Sequence, residues 1–335
     1  MSAGPSTSRD VTDSPTPGRH RRMLRGDGLA LAAPQAKPIV PRQRHGRSST
    51  AYGRCVGTPL YSDDLERFIS RHFGGRGRVW LDQLAGRVEQ YQRVWGLEIE
   101  RYLPGGLMSC CLAVRTADGA RAVLKLDGPW TPARREILAL RRWSGRAAPD
   151  LLHADEAGGA LLLERIEPGT PLADGALGEE IVGVARLLRV LHASTASAAL
   201  LQQLPPLADV VEEQIATAGA EAAARSAAEA TALRPALERA RDVASRLLES
   251  WDRDDVILHG DLESKNILIC HKRGLAAIDP LACVGEPAYD AAYCAASALP
   301  GGRRDERCGL VAAELGLDPE RVRRWASVVA LDHPC

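Results

Sequence analysis

The sequence predicts an α+β chain in which a small strand-rich region precedes a larger helical one. Two observations carry that reading. Short apolar stretches with turn signals crowd the part up to residue 166, whereas residues 176–195 and 206–250 are rich in Ala, Leu, Glu and Arg with few breakers. Strands first and helices second imply segregated layers rather than alternating βαβ units. At 335 residues, 45% of them hydrophobic, the chain is long enough for one large domain or two modest ones. Only 4% is aromatic, so Ala and Leu must fill most of the core.

The elements follow in order. Residues 1–55 carry nine basic residues against three acids in the first 50, with no hydrophobic periodicity, and read as a disordered basic tail. Residues 61–97 read as two amphipathic helices broken at Gly74-Gly75, with Leu81, Leu84, Val88, Tyr91 and Trp95 recurring at three and four. The stretch "CCLAVRTAD" turns through Asp118-Gly119 into "RAVLKLD", a hairpin signature. A helix is expected over 131–144, capped by Thr131 with Pro132 at its first position. Next, "GALLLERIEPGTPL" reads as an apolar strand ending in a Pro-Gly turn. Residues 206–250 lack sustained heptads, which favours packed globular helices over a coiled coil. Two short strands flank "LHGDLESKNIL", and the C-terminus is helical. The expected division is a tail over 1–55, a nucleotide-binding lobe over 56–166 and a helical lobe over 167–335.

Composition excludes several classes. Basic and acidic residues balance at 43 each, so the chain has no electrostatic footprint for nucleic acid. No apolar run approaches 18 residues, so no membrane span is expected. The eight Cys form no C-x-x-C pair and no zinc spacing, and the plain expectation is a cytoplasmic protein with reduced thiols. Of the 43 basic residues only four are Lys (Lys37, Lys125, Lys265 and Lys272), so each stands out against an Arg background.

The chemistry concentrates around "LHGDLESKNIL". Asp261 and Asn266 are five apart on a short loop, and Asp279 ends "GLAAID" thirteen residues later. Turn capping is the alternative explanation for each acid or amide taken singly. Together they are two carboxylates and an amide, the hard oxygen donors that suit magnesium and leave room for phosphates. Such a set supports phosphoryl transfer: one Asp takes or orients the hydroxyl proton, while the Asn and the second Asp hold the metal. Gly105-Gly106 sits between two strands, where backbone N–H groups can approach phosphates. Lys125 lies inside an apolar strand, an expensive position for an ammonium without anionic partners. Glu136, eleven residues on, can be one partner and ATP phosphate the other. Strand Lys, helix Glu, loop Asp and Asn, then metal Asp is the protein-kinase order.

Several stretches then resemble a known family. "GGLMSC", "VLKLDGPW", "EILALRRWSG", "LLLERIEPGTPL", "LHGDLESKNIL" and "AIDPLACVGEPAYDAA" resemble the aminoglycoside phosphotransferases, and more narrowly the streptomycin 6-phosphotransferase and hydroxyurea phosphotransferase group. The resemblance runs from about 60 to 330 and implies a protein-kinase-like two-lobe fold with ATP and Mg2+. It implies Asp261 as the catalytic residue, Asn266 and Asp279 as magnesium ligands, and Lys125, held by Glu136, on the ATP phosphates. Gly105, Gly106 and Ser109 would lie over the phosphates, and Glu164 and Ile166 would offer backbone groups to adenine. Asp290 resembles the buried Asp that braces the catalytic loop, and His259 reads as a brace of the same loop. His153 and His192 receive no role. Two residues depart from the family pattern: Glu263 stands where many relatives carry His, and Lys265 precedes the Asn.

The implied partner is a small, cationic molecule, with streptomycin phosphorylated at its 6-hydroxyl and antibiotic resistance as the outcome. Hydroxyurea, another aminoglycoside, a sugar or an amino alcohol are the alternatives within the fold, and a non-catalytic nucleotide-binding relative is the alternative outside it. Glu212, Glu213, Glu263 and Glu286 are candidates for an anionic pocket around such a cation, against the reading of a solvated charged face.

Overall fold

The computed structural model describes residues 54–55, 58–131, 133–172, 179–193, 198–296 and 303–330. Nearly all of the expected basic tail, residues 1–53, lies outside them.

The described chain opens with an antiparallel pair, β1 (Arg54–Cys55) and β2 (Thr58–Pro59), and the long helix α1 (Asp63–Trp95). Ser62 caps α1 by accepting the Leu65 N–H at 3.2 Å, and acids in the first turn complement the helix dipole. Helical geometry fails at Gly74 (φ 51°, ψ −126°), so the expected break appears as a kink in one continuous element. Then come β3 (Glu98–Leu103), β4 (Ser109–Arg115), β5 (Arg121–Asp127), α2 (Ala133–Trp143), β6 (Leu151–Asp155) and β7 (Ala160–Glu164). The five strands form one antiparallel sheet ordered β3-β4-β5-β7-β6, with the β4–β5 hairpin turning at Asp118-Gly119. Thr131 does not cap α2: its Oγ1 is buried without a hydrogen-bond partner.

Alternation along these strands decides which face each side chain takes. Cys110, Leu112, Val114, Ala122, Leu124, Leu126, Ala160 and Leu162 bury one face of the sheet under the Leu65, Ile69, Trp80, Leu84 and Val88 stripe of α1. The opposite face therefore receives the intervening residues, including Lys125 and Asp127, and is covered partly by α2. On α2 the buried positions 133, 136, 137 and 140 form a single stripe, which puts Glu136 among apolar neighbours and towards Lys125.

Beyond β7 the expected Pro-Gly turn is absent. Pro168 and Gly169 belong to a strand, β8 (Pro168–Pro171), which pairs with a later strand that follows the Asp261–Asn266 loop. The helices α3 (Glu179–His192), α4 (Ala198–Leu201), α5 (Leu207–Arg225) and α6 (Ala227–Glu249) follow. The packed helices expected over 206–250 meet at Ser226, whose extended backbone ends α5 and whose hydroxyl caps α6 through Glu229 N. Next are β9 (Val256–Leu258), a 3-10 turn at Ser264–Asn266, β10 (Ile267–Cys270), β11 (Gly274–Ala277), β12 (Cys283–Gly285), α7 (Pro287–Ala296), α8 (Arg304–Leu315) and α9 (Pro319–Val329). Two small sheets, β11-β10-β8 and β12-β9, carry the loop between them. Tyr289, Tyr293 and Trp325 fill the helical core with edge-to-face contacts at 5.3–5.4 Å, supplying the bulk that Ala cannot. Among the described residues no helix is long and apolar enough to cross a membrane.

Candidate active site

Three acids surround one lysine. Lys125 Nζ lies 2.5 Å from Glu136 Oε2, 2.9 Å from Asp279 Oδ1 and 3.9 Å from Asp127 Oδ1. Burial would depress the ammonium, but Asp279, Glu136 and Asp127 together hold it well above the ordinary lysine value. One ammonium cannot neutralise three carboxylates. Burial accordingly pushes Asp127 up to about 6 and Glu136 up to about 8. Asp279 stays below the usual carboxylate range because Lys125 outweighs its burial. Asp127 was not read from the sequence, although its place two residues after Lys125 on a strand puts both on one face. Both of its carboxylate oxygens are buried without a hydrogen-bond partner.

The loop after β9 meets this cluster. Asn266 Nδ2 donates to Asp261 O at 2.8 Å and to Asp261 Oδ2 at 3.0 Å, tying the two residues five apart into one unit. Ile278 N donates to Asn266 O at 2.9 Å, which sets the residue before Asp279 against the turn. Asp279 itself has φ 56°, a left-handed conformation that Asp tolerates better than most side chains. The glycine of "HGD" has a steric cause. Gly260 has φ 81°, and a Cβ there would come within 2.5 Å of Leu281 O. Lys265 Nζ pairs with Glu263 Oε2 at 2.8 Å beside the same turn.

The loop is braced from behind. Asp290 on α7 accepts the His259 N–H at 2.8 Å on Oδ2 and the Gly260 N–H at 3.0 Å on Oδ1. His192, the last residue of α3, adds a contact of its Nε2 to Asp290 Oδ2 at 2.9 Å. Sequence spacing gave no sign of that pairing, since the two residues are 98 apart. His259 Nε2 lies 2.9 Å from Ile278 O, which can only accept, so Nε2 carries the hydrogen and Nδ1 receives the Asp261 N–H at 3.4 Å. Trp143 lies nearly parallel to this ring at 6.1 Å.

Burial lowers the His259 pKa from 6.5 to about 4. A base depressed in the folded state stabilises the fold above its unfolded pKa and loses that contribution as pH falls through the folded one. His259 therefore gives roughly 3 kcal/mol that disappears between pH 6.5 and about 4. Replacing His259 with Gln removes the titration. The stability gap between wild type and His259→Gln, measured by urea unfolding, is expected to narrow across that window; a gap constant with pH would contradict the assignment.

The remaining sequence-derived residues lie along the sheet and the connection that follows it. Gly105 (φ 123°) and Gly106 form the β3–β4 connection, and Ser109, which begins β4, is buried opposite Asp127 in the β4–β5 register. Glu164 ends β7 with its N–H donated to Asp150 O at 2.8 Å, while its carboxylate pairs with Lys272 and Arg273 on the β10–β11 turn. Ile166 is buried against Leu268, Cys270 and Ala276.

Residues 94–332 match the model of the aminoglycoside/hydroxyurea antibiotic resistance kinases. The chain is 32% identical over 255 residues to a hydroxyurea phosphotransferase of Kitasatospora aureofaciens, covering 76% of this chain and 73% of that one. This chain belongs to that kinase family. A streptomycin 6-kinase of Streptomyces griseus is 32% identical over 230 residues, 68% of this chain and 72% of that one. The solved structure of a Plasmodium vivax ethanolamine kinase superposes with TM-score 0.56 at 16% identity, covering 80% of this chain and 84% of that one. The fold is thus protein-kinase-like, with the antiparallel sheet in its N-terminal region and the helices in its C-terminal region.

Within this kinase fold the acids read as candidates for an anionic pocket are largely matched by the chain's own cations. Glu286 is buried against Arg321 at 2.5 Å and burial pushes it up to about 7. Glu212 makes two bonds to Arg241, at 2.8 and 2.9 Å. Glu263 holds Lys265. Arg321 also bonds Ser250 Oγ and Leu247 O, so Glu286 belongs to a clamp between α9, α6 and α7 rather than to an open pocket.

Proposed function

We propose that this kinase transfers the γ-phosphate of ATP to a hydroxyl of a small molecule, with the streptomycin 6-hydroxyl as the first acceptor. One observation carries the reading. Lys125 bridges Glu136 and Asp279, Asn266 holds Asp261, and the Ile278 N–H on Asn266 O ties the two groups together, an arrangement that supports phosphoryl transfer. The streptomycin 6-kinases among the relatives support the choice of acceptor.

The residues present fit magnesium. Asn266 uses its Nδ2 on Asp261, which leaves its amide oxygen as a hard donor, and Asp279 presents one carboxylate oxygen beyond the one bonded to Lys125. Among the described residues no group of three His, Cys, Asp or Glu is placed to hold a metal, and magnesium on two protein oxygens plus phosphates needs none. When bound there, magnesium would neutralise charge on the transferring phosphoryl group. Asp261 accepts the acceptor's hydroxyl proton as the new P–O bond forms and the bond from the γ-phosphorus to the β-phosphate oxygen breaks, releasing ADP. Asn266 keeps Asp261 in place, and Lys125 holds the phosphates. Gly105, Gly106 and Ser109 cover the phosphates, with backbone groups of Glu164 and Ile166 towards adenine. The lobes divide near Ile166.

A second reading has its own support. Hydroxyurea is uncharged, and the pairing of Glu212, Glu263 and Glu286 with Arg241, Lys265 and Arg321 removes three anchors for a dication. The test is magnesium-dependent ATP consumption with streptomycin, hydroxyurea, other aminoglycosides and no acceptor in parallel. Streptomycin-dependent turnover is the expected result. Turnover with hydroxyurea alone would replace the acceptor and keep the chemistry. Equal consumption in every well, acceptor or none, would contradict the transfer.

A further inference from the structure

The proposed transfer absorbs Lys125 but leaves the second lysine of the cleft unexplained. Only four of 43 basic residues are Lys, and Lys265 is one of them, in the middle of the 3-10 turn that carries Asn266. Its Nζ is pinned at 2.8 Å to Glu263 Oε2, with the Lys265 side chain 42% exposed. Burial would lower this ammonium, but Asp261, Glu263 and Asp279 together hold it above the ordinary lysine value. Lys265 therefore presents a half-exposed ammonium on the turn whose next residue, Asn266, is bonded to Asp261. Lys125 occupies the buried side of Asp279, fixed between Glu136 and Asp279.

A phosphoryl group travelling from nucleotide to acceptor must pass Asp261, which repels it. Preorganised cations along that path lower the barrier. An ammonium on a flexible stem suits the task, because its three donors can follow the oxygens as they move. Glu263 keeps that ammonium at the turn when no phosphate is present.

We propose that Lys265 is a second phosphate-binding cation, which leaves Glu263 to contact the γ-phosphate of ATP. The proposal rests on the phosphoryl-transfer reading, and its test does not need an acceptor. Binding of β,γ-imido-ATP and of ADP to the full chain is measured with magnesium, for wild type, Lys265→Met, Lys265→Arg and Glu263→Gln. The Met variant is expected to lose roughly tenfold in affinity for the triphosphate analogue, while its ADP affinity stays within about twofold. The Arg variant should recover part of the loss, and Glu263→Gln should keep the preference for the triphosphate. Thermal melting verifies that each variant is folded. Equal losses for both nucleotides, or no loss for either, would overturn the assignment. Loss of the triphosphate preference in Glu263→Gln would also overturn it. A wild type that transfers no phosphate to any acceptor yet shows the selective loss would sink the acceptor reading and leave Lys265 standing. A wild type that binds neither nucleotide would sink both.

Discussion

Asp261→Asn should remove turnover while nucleotide binding persists. The substitution keeps the shape of the side chain, and Asn266 Nδ2 retains its 2.8 Å bond to the Asp261 main-chain oxygen, so the loop keeps its form. What is lost is the carboxylate that accepts the hydroxyl proton. A positioned general base contributes roughly a hundredfold to ten-thousandfold, so kcat is expected to fall by that order. Lys125, Glu136 and Asp279 are untouched, and ADP affinity measured by calorimetry should change by no more than about twofold, well under 1.4 kcal/mol. Retained turnover would remove Asp261 from the chemistry.

Asp290→Ala carries the largest expected effect on stability. Asp290 is fully buried and accepts from His259 N, Gly260 N and, on Oδ2, pairs with His192 Nε2. Truncation leaves two backbone donors and an imidazole without their acceptor inside the core. Breaking a buried charged network of this kind costs about 3–5 kcal/mol. At roughly 2–4 °C per kcal/mol the melting temperature should drop by about 10 °C. Asp290→Asn keeps one acceptor oxygen and should lose less. If the loop is held by Asp290, kcat should also fall in both variants more than the KM for ATP rises. A melting temperature within about 2 °C of wild type in Asp290→Ala would contradict the bracing role.

Local chemistry made much of this fold legible. Pattern alone identified the β4–β5 hairpin, the α1 stripe and the Gly74 break, because each depends on neighbours in sequence. The candidate site was legible as a grouping for a related reason: Asp261, Asn266 and Asp279 fall within nineteen residues, Asn266 bonds Asp261, and the Ile278 N–H bonds Asn266 O. Lys125 was conspicuous as a charge in an apolar strand. The failures share a different cause. His192 meets Asp290 across 98 residues, Glu286 meets Arg321 across 35, and nothing local announces either contact. The Pro168-Gly169 pair looked like a turn because its strand partner, β10, comes a hundred residues later. Thr131 looked like a cap because residue type suggests a bond that side-chain direction does not make. Asp127 stands two places after Lys125 on the same face of β5, and only the packing of Glu136 and Asp279 around that lysine gives it significance.

The account turns on group transfer rather than on nucleotide binding alone. Its most direct test follows radiolabelled γ-phosphate from ATP in the presence of magnesium and streptomycin, with the wild type and Asp261→Asn side by side. The account predicts label on streptomycin with the wild type and none above background with the variant. Label released only as inorganic phosphate, or equal transfer by both proteins, would contradict it.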